Sequence, residues 1–223
     1  MSNAIEKWRD DEKALGIERQ RMNEALARLG QANARHPAQR GGRLIFGLDL
    51  TSSRKESLQQ ARIATAAMFD TIKAVGSVAV KLIYYRGKDE CRASKWHDDP
   101  RVLSESMRQL SCEAGATQIA RLLHLALAEK EKIAGVVFVG DQCEDDPDEL
   151  RALAQTFGQR SIPLFVFHEC SDWDQRSLAA KPVFKEMAAA SGGVYCEFKP
   201  DSGAVLREIF GTHEEWTGFV YKT

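Results

Sequence analysis

Three stretches of the chain run apolar without polar alternation: Leu44 to Leu48, Ala134 to Gly140 and Ile162 to Phe167. Each has the length of a strand, and an unbroken apolar run of that length suits a strand buried on both faces of a parallel sheet. This constrains the fold more than any other feature, because such strands need helices on both sides and crossovers between them. Two of the runs end abruptly in a carboxylate. Asp49 follows the first and opens a hydroxyl-rich loop, Asp49-Leu50-Thr51-Ser52-Ser53-Arg54; Asp141 follows the second directly. Ligands in open α/β sheets bind beyond the carboxyl ends of the strands, so both positions are site candidates on topology alone. Asp49, Thr51 and Ser53 stand two apart. A tight loop can turn one carboxylate and two hydroxyls of that spacing to a common point, a set that suits a hard cation such as Mg²⁺.

The rest of the chain fills in around these runs. Leu58, Ala61, Thr65, Met68, Ile72 and Val75 recur at three- and four-residue spacing and predict a helix stopped by Gly76. Val78 to Tyr85 is β-rich, and the turn Arg86 to Asp89 leads into a shorter β-like stretch from Glu90 to Trp96, predicting a hairpin. Helices are expected from Pro100 to about Leu110, from Ile119 to Leu127, from Pro147 to Phe157 and around Phe184 to Ala188. A last strand is expected from Val194 to Phe198 and a closing helix through Val205, Leu206, Ile209 and Phe210, before an apolar tail with Trp216, Phe219 and Tyr221. The fold class is therefore α/β, a doubly wound and mostly parallel sheet with one antiparallel edge strand.

Ahead of it, residues 4–29 read as a charged amphipathic helical segment with Ile5, Trp8, Leu15, Met22, Leu26 and Leu29 on one seam, broken by Glu12, Gly16 and Arg19. A polar stretch with Pro37 and Gly41-Gly42 follows, which places the boundary between an N-terminal extension, 1–42, and a domain, 43–223. A length of 223 residues supports one such domain with an appendage. Thirty-one Lys and Arg against 32 Asp and Glu leave no field that recruits nucleic acid or an anionic membrane. No apolar stretch approaches the roughly 18 residues of a membrane span. Five widely spaced cysteines with no C-x-x-C pair point to reduced thiols, small buried hydrophobes rather than redox sensors at Cys91 and Cys143, and a cytoplasmic chain.

Several groups near the carboxyl edge have local readings. Thr117 lies at a helix start, where threonine serves as an N-cap. Asp145, Asp146, Asp148 and Glu149 resemble a metal-binding run, but Asp146 as N-cap, Pro147 after it and Glu149 three residues on make a capping box. His168 and Glu169 end the third buried strand and could flank a site, although a lone histidine at a strand end is more often a surface residue. Tyr84 and Tyr85 point to opposite faces of a strand, so at most one is exposed.

The order of D-L-T-S-S, a threonine in A-G-A-T-Q-I, and V-F-V-G-D resembles a von Willebrand factor type A (VWA) domain, a Rossmann-like fold, from about Leu44 to Phe210. It is most similar to bacterial, intracellular, stand-alone members. The resemblance implies a metal-ion-dependent adhesion site in which Thr51, Ser53 and Thr117 supply hydroxyls, while Asp49 and Asp141 supply carboxylates that commonly reach the metal through water. The chain departs from the family in having Gly140-Asp141-Gln142 where a T-D-G type sequence is usual.

The implied role is a non-enzymatic, Mg²⁺-dependent module, with Mn²⁺ or Ca²⁺ as alternative ions, which binds a protein partner presenting Asp or Glu. The segments His168 to Asp174 and Cys143 to Asp146 would shape the rim. Two rival readings remain: a metal-dependent phosphohydrolase using Asp49, Asp141 and His168, and a vestigial site on a scaffold that binds through its N-terminal helices.

Overall fold

The computed structural model describes residues 20, 42–54 and 78–198. The expected helices of the N-terminal extension, the linker up to Gly41, the helix over 58–75, the closing helix and the tail lie outside the described residues.

Six strands form one sheet: β1 (Gly42–Asp49), β2 (Val78–Arg86), β3 (Glu90–Ala93), β4 (Gly135–Gly140), β5 (Leu164–Glu169) and β6 (Val194–Phe198), in the order β3-β2-β1-β4-β5-β6. Every pairing is parallel except β2 with β3, the antiparallel edge hairpin. The hairpin strand is shorter than expected and ends at Ala93. Trp96 beyond it donates its indole N–H to Glu129 (3.2 Å), with the Lys81 ammonium 5.2 Å from the ring.

The apolar runs behave as two-sided strands. Leu44, Phe46 and Leu48 of β1 pack on one face with Val137 and Val139 of β4, Phe165 and Phe167 of β5, and Leu103 and Met107 of helix α1 (Pro100–Arg108). Ile45, Val136, Phe138 and Val166 face the other way, onto α2 (Ile119–Leu127), α3 (Pro147–Gln159) and α4 (Gln175–Ala190). A register slip of one residue would exchange these faces, and with roughly 1.5–3 kcal/mol for each large side chain removed from water the registry is strongly held. At Gly47 helix α2 packs close to the strand: a Cβ there would sit 2.9 Å from Leu122 Cδ2.

Helix α4 begins earlier than the apolar pattern indicates. The Asp174 side chain accepts from the Arg176 N–H (2.9 Å) and starts it two turns before Phe184, and Pro182 is carried inside it. In α3 the expected cap forms: Asp146 accepts from the Asp148 N–H (2.9 Å), with Pro147 opening the helix. Glu149, the other half of the expected box, lies 3.4 Å from His124 Nε2.

β1 has β2 on one side and β4 on the other, so the direction of winding reverses between β1 and β4. In doubly wound sheets the crevice at such a reversal is where ligands sit. Asp49 is the last residue of β1, and Asp141 is the first beyond β4.

Candidate metal centre

Leu50 N–H donates to Tyr85 O (3.0 Å) as the chain leaves β1, and a short 3-10 turn, Ser52–Arg54, folds it back over the strand end. The turn places the Thr51 and Ser53 hydroxyls 3.0 Å apart. Asp49 beneath them is fully buried, and both its oxygens are engaged: Oδ1 accepts from Thr51 N–H (2.7 Å) and Oδ2 from the Tyr85 hydroxyl (2.9 Å). Tyr85 is thus the inward member of the tyrosine pair, and Tyr84 is half-buried. Burial raises the Asp49 pKa, offset only in part by the Arg54 charge and by the Thr51 and Tyr85 hydrogen bonds.

Asp141 lies across the reversal point from Asp49. A Cβ built on the preceding Gly140 would lie 3.5 Å from Asp49 Cβ, so the two strand ends run close together, near enough for the Asp49 charge to act on Asp141. Asp141 is buried, and its Oδ1 has no hydrogen-bond partner. Its pKa is pushed up to about 6 by burial first and the Asp49 charge second, against the pull of Arg54 and the Ser53 hydroxyl.

Thr117 belongs to a different network from the one expected. It does not cap α2: Gln118 holds the N-cap position and contributes no side-chain bond. The cap comes instead from Asp145 in the β4–α3 loop, whose carboxylate accepts from the N–H groups of Ile119 (3.1 Å) and Ala120 (2.9 Å). Thr117 Oγ1 donates to Asp145 Oδ2 (2.7 Å) and accepts from Glu144 N–H (2.7 Å), and Glu144 Oε2 accepts from Thr117 N–H (3.1 Å). Thr117 is therefore bonded to the segment just after Asp141. The structure brings Asp49, Thr51, Ser53 and Asp141 together directly, and Thr117 joins through that loop. The loop carrying Thr117 is strapped down on its other side, where Glu113 N–H donates to Leu50 O (3.0 Å) and a Cβ on Gly115 would strike Gly87 O at 1.8 Å.

Two buried side chains behind the site were not foreseen in these roles. Arg54 is wholly buried. Its Nη1 donates to Asp49 O and to Val139 O (3.0 Å each), and its Nε and Nη2 donate to Glu169 Oε2 (3.2 and 2.9 Å). One guanidinium thus ties the ends of β1, β4 and β5. Burial works against its charge, but Glu169, with Asp49 and Asp141 behind it, more than offsets this, and the pKa is raised. A polar residue closing the hydroxyl loop and a glutamate closing a buried strand at the same edge were the available signals.

His168 is the second. It is fully buried, which corrects the surface reading. Its Nε2 meets Asp141 O (3.1 Å) and Ser177 Oγ (3.2 Å), and its Nδ1 meets the Tyr195 hydroxyl (2.7 Å). A carbonyl can only accept, so Nε2 carries the proton and Nδ1 accepts from Tyr195. Burial lowers the His168 pKa to about 4, and the ring is neutral at pH 7.

Where the family pattern would have T-D-G, Gln142 is buried and donates through Nε2 to Asp174 Oδ2 (2.7 Å), tying the Asp141 loop to the β5–α4 loop. Cys143 beside it is half-buried, and burial pushes its thiol up to about 12, so it holds almost no thiolate at neutral pH. Cys91 is likewise half-buried, while Cys170 and Cys196 are buried; none of the five cysteines is in a disulfide.

The donor set is chemically apt for a hard cation. Among the described residues no group of three or more His, Cys, Asp or Glu is placed to hold a metal, and this cluster offers two carboxylates with hydroxyls instead. An oxygen-only set with an unpaired buried carboxylate oxygen fits Mg²⁺ chemistry, since the cation would compensate the charge that burial penalises.

No family model matches the sequence, and no curated protein matches it significantly. Solved structures do resemble it. The D319A mutant of the PilB minor pilin from Streptococcus sanguinis superposes with a TM-score of 0.60 at 8% identity, over 83% of this chain and 64% of that one. The SpRpn10 VWA domain gives 0.55 at 11% identity, over 75% of this chain and 93% of that one. The vWF domain of the type V pili tip protein Mfa5 from Porphyromonas gingivalis gives 0.51 at 11% identity, over 82% and 97%. The chain thus spans nearly the whole of two such domains but under two thirds of the pilin. At these identities the likeness is one of fold, and that fold is VWA-like. Among the described residues no helix is long and apolar enough to cross a membrane.

Proposed function

We propose that this protein is a non-enzymatic interaction module in which Asp49, Thr51, Ser53, Thr117 and Asp141 hold Mg²⁺, or Mn²⁺ or Ca²⁺ in its place, and that a partner protein's Asp or Glu completes the site. The observation that carries the proposal is the buried, unpartnered Oδ1 of Asp141 beside Asp49 and the two hydroxyls, at the reversal point of a VWA-like sheet. Asp49 is held by Tyr85 and Thr51 so that its charge is fixed in place. Ser53 and Thr51 present hydroxyl oxygens without adding charge, so a dication here is balanced by Asp49 and Asp141 alone and has room among its ligands for an incoming carboxylate. The ligation by Thr117 requires its Oγ1 to keep a lone pair for metal beside the bonds to Asp145 and Glu144, which an oxygen with two lone pairs permits.

We place this module in the cytoplasm. The five free thiols support that compartment.

The test is a thermal-shift titration of Mg²⁺, Mn²⁺ and Ca²⁺ on wild type and Asp49→Ala, because an ion that binds only the folded state must raise its stability. A saturating rise in wild type that disappears in Asp49→Ala supports the site. Equal curves for the two proteins would overturn it.

A further inference from the structure

Trp173 is the most exposed large apolar side chain among the described residues, at 94% of its full exposure. It does not sit on a loose tip. Asp174 N–H donates to Ser171 O (3.2 Å) to close the turn, and Ser171 N–H donates to Ser177 Oγ (3.3 Å) at the base of α4. The Asp174 carboxylate both starts α4 and accepts from Gln142, the residue after Asp141. The indole is therefore held in open solvent on a turn hydrogen-bonded to the metal loop. Exposed tryptophan on an ordered turn is the usual anchor of a protein interface, since it offers a large rigid apolar area at little cost in side-chain freedom.

The charge around it narrows the partner. The loops 141–146 and 170–174, which meet at the Trp173 turn, contain no Lys or Arg and carry Asp141, Glu144, Asp145, Asp146, Asp172 and Asp174, while the basic pair Arg86 and Lys88 lies at the β2–β3 turn on the opposite side of β1. Such a rim favours arrival of a dication and opposes arrival of a bare carboxylate. A partner that inserts an acidic side chain must bring cationic neighbours with it, which rejects generic acidic segments by like-charge repulsion.

We infer that Trp173 is the apolar anchor of the partner interface, and that the partner is a protein segment presenting an Asp or Glu flanked by Lys or Arg, beside an apolar patch that closes over the indole. The carboxylate part rests on the metal reading above; the anchor does not.

The test selects a phage-displayed library of disulfide-cyclised peptides on the full-length protein in Mg²⁺. Selected peptides are then measured by fluorescence anisotropy on wild type, Trp173→Phe and Trp173→Ala, with Mg²⁺ or with EDTA. The expected winners combine one Asp or Glu with Lys or Arg and aliphatic or aromatic residues. Their affinity should fall about tenfold or more in Trp173→Ala and less in Trp173→Phe, while the Mg²⁺ thermal shift stays the same in all three proteins. Affinity within twofold of wild type in Trp173→Ala, winners without cationic residues, or no winners at all would overturn the inference. So would a change in sedimentation mass in Trp173→Ala, which would assign the indole to a second copy of this chain. Binding lost in Trp173→Ala but untouched by EDTA would keep the anchor and sink the metal reading; binding lost in EDTA but untouched in Trp173→Ala would do the reverse.

Discussion

Two sets of buried charges lie at the same edge of this sheet and are finished to different degrees. Arg54 and Glu169 form a closed set: the ion pair at 2.9 Å is buried on both sides, and the guanidinium also serves two strand-end carbonyls. Asp49 and Asp141 form an open one, in which one carboxylate has donors on both oxygens and the other keeps an oxygen with none. Both sets are buried, so the difference that matters lies in compensation. A buried charge is tolerated when paired and hydrogen-bonded, and otherwise shifts its protonation or waits for a counter-ion. The closed set reads as framework, and the open one as a place where binding energy can be gained.

The largest effect should come from opening the closed set. Arg54→Met leaves Glu169 buried and uncompensated, and should cost about 3–5 kcal/mol in denaturant unfolding. Arg54→Met with Glu169→Leu should recover much of that loss, because both charges are then gone. If the double variant is no better than the single one, the pair is not the reason for the cost.

Closing the open set should do the opposite. With EDTA at pH 7.5, Asp141→Asn should be more stable than wild type by on the order of 2 kcal/mol, and should lose the Mg²⁺-induced rise. The sign follows from the raised carboxyl pKa: the folded protein holds that proton more tightly than the unfolded chain. Asp141's contribution to stability is thus full below the ordinary carboxylate pKa of 3.8 and is lost as pH rises through about 6. The advantage of Asp141→Asn should therefore shrink as pH is lowered from 7.5 toward 4, read as the difference between two unfolding curves at each pH. An advantage independent of pH would show that charge is not its source.

A finer probe of the same contrast is Tyr85→Phe, which removes one donor from Asp49 and should cost roughly 1–2 kcal/mol in EDTA, with less of that loss when Mg²⁺ is present. The smallest effect serves as the baseline. Asp146→Ala removes a solvent-facing cap and should cost about 1 kcal/mol with or without the ion.

The framework of this site was largely legible in the sequence and its wiring was not. Leu44 to Leu48 and Gly135 to Gly140 announce buried strands by composition alone, and a carboxylate at the end of each lands where such sheets bind ligands. The Asp146 cap is equally local, set by residues within four positions. Arg54 could not be read this way, because its partner Glu169 is 115 residues distant and a lone arginine after two serines looks like a surface residue. The same holds for Tyr85 on Asp49 and for Asp145, whose helix lies 25 residues upstream. Thr117 at a helix start reads locally as a cap, beside its place in the metal set; the structure shows a helix whose cap is lent by another loop. Local chemistry is visible in a single stretch, whereas contacts closed by the sheet depend on which strands become neighbours.

That loan has a consequence for how the molecule can be altered. Helix α2 has no cap of its own, and the loop that lends one also contacts Thr117 from both sides. Segments 111–118 and 141–146, more than twenty residues apart in the chain, are thus a single replaceable part. A chimera that exchanges one without the other should misfit even when each segment comes from a stable donor, whereas the pair moved together should transplant as a cassette.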